Sequence, residues 1–186
     1  MSGDTRDRIM EAARLTVQDL GYNGLSFREL AKDVGIKSAS IHYYFPTKGN
    51  LCEAIVRRYI DRYERYLQDI LNDATDSTTA MRRYTDVFRD TLLNGNRMCL
   101  AGILAAERND VPDEVRTEVV RWGEMNERWI GRVLAPGVDN PQEDIRRRAK
   151  AIFAAVSGAQ MIAHGRGEVA FYDEVVSAYR ESGFIP

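Results

Sequence analysis

Apolar side chains recur every three to four residues along most of the chain and nowhere alternate over a strand-length run. Ile9, Ala12, Ala13, Thr16, Val17 and Leu20 mark a first helix, closed by Gly21 and the Asn23-Gly24 turn. Ser26-Phe27-Arg28-Glu29 has capping-box spacing: the Ser26 hydroxyl accepts from the Glu29 backbone N–H, and the Glu29 carboxylate reaches back. It opens a helix that buries Phe27, Leu30, Ala31 and Val34 and stops at Gly35. A short helix follows from Ser38 to about Phe45, because Pro46 disfavours helix at the residue before it. Thr47 caps a long helix from Lys48 to about Asn72.

Further segments cover Ser77 to Leu93, ended by Asn94-Gly95-Asn96, and Met98 to Arg108. Pro112 suits the first turn of a helix reaching Leu134. Asn140-Pro141-Gln142-Glu143 reads as cap, N1 proline and N3 glutamate of a helix to His164, broken by Gly165 and Gly167. A last helix covers Glu168 to Glu181. The pattern predicts an all-α chain of about nine helices. A three-helix head (residues 1–50) leads through the long helix into a larger helical body (residues 51–186).

The two short helices around Val34-Gly35-Ile36-Lys37 have helix-turn-helix spacing. At 100° per residue, Ile41, Tyr44 and Phe45 cluster on one side of the second helix. Ser38, Ala39, His42 and Tyr43 fall on the other, a polar and aromatic face with no core task. Such a face fits a major groove, where hydroxyls and imidazole meet phosphates or bases and Ala39 packs on a thymine methyl. Lys48 and the backbone amides of the next helix can grip a phosphate. The same geometry also occurs in helical proteins that bind no nucleic acid, so a helical interaction adaptor is the alternative at this point.

Composition narrows the classes. With 186 residues, 44% hydrophobic and 29% charged, the chain can build one domain with a core or two small ones. No apolar run approaches the roughly 20 residues of a membrane span, and two cysteines and two histidines, far apart, make neither a disulfide framework nor a zinc site. A cytoplasmic protein without cofactor or metal is expected. No nucleophile elbow, phosphate loop or metal motif suggests an enzyme. Net charge is −2, with one net positive charge on residues 1–50 and three net negative on the rest. That permits phosphate binding by the head without establishing it.

Residues Ile9 to Leu51 resemble the DNA-binding head of TetR-family transcriptional regulators. The resemblance rests on the opening aliphatic-Ala-Ala helix, Gly21-Tyr22, Leu30-Ala31, Val34-Gly35-Ile36, the 40–45 core, and Lys48 to Leu51. His42 stands where the family commonly has tyrosine, Tyr44 where it often has histidine, and Asn50 where it has an acidic residue. The resemblance implies a homodimer on a palindromic double-stranded operator. By position it makes Arg28, Ser38, Ala39 and His42 base-edge candidates, and Ser26, Ser40, Tyr43 and Lys48 phosphate candidates.

It also implies a small-molecule effector cavity in the body, for which Tyr84, Phe88, Cys99, Ile103, Trp122, Met125, Trp129, Met161 and His164 are the candidates. The stretch Met98 to Glu107 resembles a "CL-xxx-L-xx-E" element of a family subset that includes electrophile-responsive members. Arg97 and a nearby helix N-terminus are expected to favour the Cys99 thiolate; the plainer reading is a buried hydrophobe. The last two helices are the expected dimer face, with small residues from Ala151 to Ala159 and Phe171, Val175, Val176, Ala178 and Tyr179. The predicted function is a repressor released from its operator by a small molecule or by modification of Cys99.

Overall fold

The computed structural model describes residues 2–138 and 140–186. Among them are nine α-helices and no strand: α1 (Ser2–Gly24), α2 (Phe27–Val34), α3 (Ser38–Tyr44), α4 (Lys48–Asp73), α5 (Ser77–Leu93), α6 (Leu100–Ala106), α7 (Asp113–Leu134), α8 (Glu143–Arg166) and α9 (Val169–Glu181). They form two compact units, Met1–Arg62 with Cys99–Trp122, and Tyr63–Met98 with Gly123–Pro186. The division expected at residue 50 falls inside the first of these. Leu51, Ile55, Val56 and Ile60 of α4, with Leu100, Ala101 and Leu104 of α6, bury their side chains and join the core of that unit.

In the first unit α1 packs on α2 and α6, and α2 packs on α3. The helical run of α1 is broken at Gly21, whose φ of 71° and ψ of −179° lie in a region essentially reserved for glycine. α2 ends on the left-handed Gly35. The Arg8 guanidinium donates to the carbonyl of Val34 at 2.5 Å, placing a cation on the C-terminal end of α2. Arg6 lies over the Phe45 ring at 5.1 Å. Thr47 caps α4 as expected, its hydroxyl accepting from the Asn50 N–H at 3.0 Å. The buried Glu118 carboxylate is held by Arg57 (2.9 Å) and Arg121 (3.2 Å), and Arg121 also reaches Asp61 (2.7 Å). A buried carboxylate needs such partners to stay charged.

In the second unit α5 packs on α8 and α9, and α8 on α9. Its interior carries a polar group that ties two tyrosines together. The Asn126 side-chain oxygen accepts from the Tyr84 hydroxyl at 2.9 Å and the Tyr63 hydroxyl at 3.3 Å. Tyr84 stacks on Trp129 with ring centroids 5.1 Å apart, and the Trp129 indole N–H donates to the Leu67 carbonyl at 2.7 Å. Gln160, also fully buried, donates to the Phe88 carbonyl at 2.9 Å.

Several local expectations are corrected. The capping box at Ser26 does not form: the Ser26 side chain makes no cap bond, and both Glu29 carboxylate oxygens lie 2.9 Å from the Lys32 ammonium. Leu20, expected inward, is 68% exposed, because the chain kinks immediately after it. α6 is shorter than predicted, since Cys99 is extended and the chain leaves the helix at Glu107. α8 is capped at Gln142 rather than Asn140, whose side-chain oxygen accepts from Arg146 at 3.1 Å. Gly165 lies within α8, which ends at the left-handed Gly167.

Val176, expected on a dimer face, is 3% exposed within its own chain. Val176→Asp is therefore expected to lose about 3–5 kcal/mol of stability as a buried, uncompensated charge. Urea unfolding checks this; a loss below about 1 kcal/mol would return Val176 to the surface.

Candidate nucleic-acid interface

The helix-turn-helix is built so that α3 has two faces. Ile41 and Phe45 are buried, at 0% and 2% exposure, and Tyr44 is half-buried. They seat α3 on α2, as its Leu30 and Val34 seat α2 in the same core. On the other face Ala39, His42 and Tyr43 are exposed, Tyr43 at 81%, while Ser38 and Ser40 are half-buried. The His42 ring is not loose. It meets Phe27 of α2 edge to face, with centroids 4.8 Å apart, so the half-buried Phe27 orients the imidazole rather than joining the core. Tyr43 packs edge-on against Tyr44 at 5.1 Å.

Arg28, in the first turn of α2, has its side chain 83% exposed and lies 3.9 Å from Glu29. Ser26, the residue before α2, is half-buried. Lys48 is half-buried as well, with its ammonium 4.2 Å from the centroid of the Tyr22 ring. Burial lowers the Lys48 pKa, an effect opposed by the nearby Glu107 carboxylate. Its cation is thus shared with an aromatic face of the head, a contact that sequence spacing did not suggest. Sequence reading also passed over Lys37, exposed at the N-cap of α3. Its place directly before Ser38 was the available signal.

The expected effector residues divide between the two units. Cys99, Ile103 and Trp122 belong to the first, and Tyr84, Phe88, Met125, Trp129, Met161 and His164 to the second. Tyr84, Phe88, Met125 and Trp129 are buried aromatic and thioether core. Met161 is corrected: it is 52% exposed, because the inward positions of α8 are Ile152, Val156, Ala159, Gln160 and Ala163. His164 is tied to the turn after α5. Its Nδ1 lies 2.6 Å from the Asn96 carbonyl, and the Asn96 side chain donates to the His164 carbonyl at 3.0 Å. That reciprocal pair secures Asn96, which has a positive φ of 56°. A groove of about 430 Å³ in the second unit is lined by charged residues such as Arg128, Arg132, Arg146 and Lys150, and by none of the effector candidates.

The thiolate expected at Cys99 is also corrected. The residue is 5% exposed, and burial pushes its thiol up to about 12. Desolvation outweighs the N-terminal position on α6, because the charged form is what burial penalises. Cys52 is raised to about 12 for the same reason. Both thiols are expected to resist N-ethylmaleimide in the native protein at neutral pH while reacting readily in urea. Intact-protein mass spectrometry reads this out, and native labelling of Cys99 at the unfolded rate would restore the reactive reading.

A family model described as "Bacterial regulatory proteins, tetR family" matches residues 9–55. A TetR transcriptional regulator of known structure from Legionella pneumophila is similar over the whole chain, with 30% identity, a TM-score of 0.86 and 96% of each chain covered. The probable HTH-type transcriptional regulator YttP of Bacillus subtilis is 33% identical over 79 residues, 42% of this chain and 38% of that protein. The HTH-type transcriptional repressor KstR2 of Mycolicibacterium smegmatis is 30% identical over 70 residues, 38% of this chain and 34% of that protein. The chain thus spans little more than a third of the length of these last two relatives.

Proposed function

This chain belongs to the TetR family of bacterial regulatory proteins, and on that premise we propose that it is a cytoplasmic transcriptional repressor, acting as a homodimer on a palindromic operator and released by a small-molecule effector. The observation that carries this reading is the outer face of α3: Ala39, His42 and Tyr43 are exposed on a short helix whose opposite side is held by the buried Ile41 and Phe45. A recognition helix so mounted enters a major groove, and a second copy reads the matching half-site about 34–36 Å away. Arg28, Ser38, Ala39 and His42 read base edges; Ser26, Ser40, Tyr43 and Lys48 hold phosphates and carry no sequence information. One relative named as a repressor supports the sign of regulation.

An effector lowers operator affinity only by binding the released conformation more tightly than the DNA-bound one. The buried state of Cys99 favours reversible small-molecule binding over thiol modification. The dimer reading rests on α8, where Met161 and Ile162 are 52% and 46% exposed and Ala151 and Ala154 also face out. Such a patch of apolar and small side chains suits close helix packing against another copy.

The DNA reading is tested by selecting duplexes from a random-sequence pool with the wild-type chain and measuring binding by fluorescence anisotropy. His42→Ala is expected to relax preference at one base pair per half-site, costing about 1–3 kcal/mol there. Lys48→Ala is expected to weaken all duplexes alike and reduce the salt slope by about one counterion. Failure to enrich any duplex at low salt would favour the adaptor.

For the dimer, Met161→Asp is expected to sediment as a folded monomer. A persistent dimer would move the interface off this patch.

A further inference from the structure

The helix-turn-helix enters at Tyr22, directly after the Gly21 kink, and leaves at Lys48, the first residue of α4. The entry is held by one carboxylate from a distant part of the sequence, and the exit rests on the side chain of the entry residue itself. Glu107 Oε2 accepts from the Tyr22 backbone N–H at 2.7 Å. The Tyr22 ring carries the Lys48 ammonium at 4.2 Å, and the Glu107 charge opposes the fall that burial causes in the Lys48 pKa. The fit is close enough that a Cβ on Gly21 would stand 1.9 Å from Glu107 Oε1. Glycine is required at position 21 by its backbone angles, and a Cβ there would also push this carboxylate aside.

Glu107 is itself rigidly mounted. Its N–H donates to the Ile103 carbonyl at the end of α6, and its carbonyl accepts from the N–H groups of Asp110 (2.9 Å) and Val111 (3.3 Å) in the turn toward α7. The neighbouring Pro112 and Glu114 approach the start of α4, each 3.1 Å from where a Cβ on Gly49 would lie. The segment after α6 therefore borders the kink of α1 and the start of α4 at once. Nothing in the core packing of α6 requires an acid at its C-cap, where the macrodipole disfavours one. The hydrogen bond to Tyr22 is what the acid does there.

We propose that Glu107 is the positioning residue of the DNA-binding head: it clamps the entry of the helix-turn-helix at Tyr22, the residue on whose ring the exit Lys48 rests, and so fixes the pose in which α3 meets DNA. This rests on the reading of the chain as a DNA-binding regulator.

The test uses the full chain and a duplex selected by the wild type, compared with an unrelated duplex of equal length. Glu107→Ala is expected to lose about tenfold in affinity for the selected duplex, within the range of typical coupling energies. On the unrelated duplex it loses less than about twofold, because phosphate contacts tolerate pose. Glu107→Gln keeps the acceptor and is expected to recover most of the specific affinity, with the Tyr22 amide still protected in hydrogen exchange. Glu107→Asp keeps the charge but retracts it, and is expected to behave like alanine. Equal losses on both duplexes, or wild-type affinity in the alanine and aspartate variants, overturn the proposal. If Glu107→Ala does not fold by circular dichroism, the glutamine and aspartate pair decides: equal affinities overturn it, and separation in favour of glutamine upholds it. A wild type that selects no duplex overturns the regulator reading itself, and the clamp falls with it; a wild type that selects one, with variants that match it, overturns the clamp alone.

Discussion

The first unit is organised around a backbone conformation that only one residue type tolerates. At Gly21 the chain turns through φ 71° and ψ −179°, and the helix that began at Ser2 cannot continue in its own direction. Everything that follows as far as α3 takes its bearing from that turn. Leu25 donates back to the Tyr22 carbonyl at 3.1 Å, Leu30 donates to Ser26, and α2 then runs to its left-handed stop at Gly35. An L side chain at position 21 would meet both a steric penalty at its own backbone and the Glu107 carboxylate. The local constraint selects glycine, and the contact from 86 positions downstream is one that any larger residue would have to displace.

Much of this architecture was legible in the residues. Helical periodicity fixed the number and order of the elements, and the α3 split between Ile41 and Phe45 on one side and His42 and Tyr43 on the other follows from 100° per residue alone. Pattern reading failed where a side chain had a choice of partners. Glu29 could have served Ser26 but lies beside Lys32, and Asn140 could have capped α8 but accepts from Arg146. Spacing lists the partners within reach and does not rank them. Contacts between distant segments were beyond it altogether: neither Glu107 on Tyr22 nor Asn126 between two tyrosines leaves a local trace in sequence.

Cys99 shows the same limit in electrostatic terms. A helix N-terminus is a real source of thiolate stabilisation, but its worth is about 1 kcal/mol, and full burial of a charge costs several times more. Exposure decides which wins, and exposure is a property of the fold. The body's other polar groups obey the same arithmetic by being neutral or paired. Asn126 and Gln160 are uncharged amides with partners, and Glu118 is buried only because Arg57 and Arg121 reach it.

The mounting of α3 has an evolutionary reach beyond any single operator. Its attachment to the head rests chiefly on Ile41 and Phe45, with Tyr44 half-inserted beside them. Of the positions that face outward, Ala39 and Tyr43 contribute little to that attachment, while His42 adds one edge-to-face contact with Phe27 of α2. Stability and recognition are therefore written largely on separate letters of the same short helix, with His42 shared between them. A descendant of this chain can change what it reads by drift at the outer letters, without first acquiring compensating changes in its core.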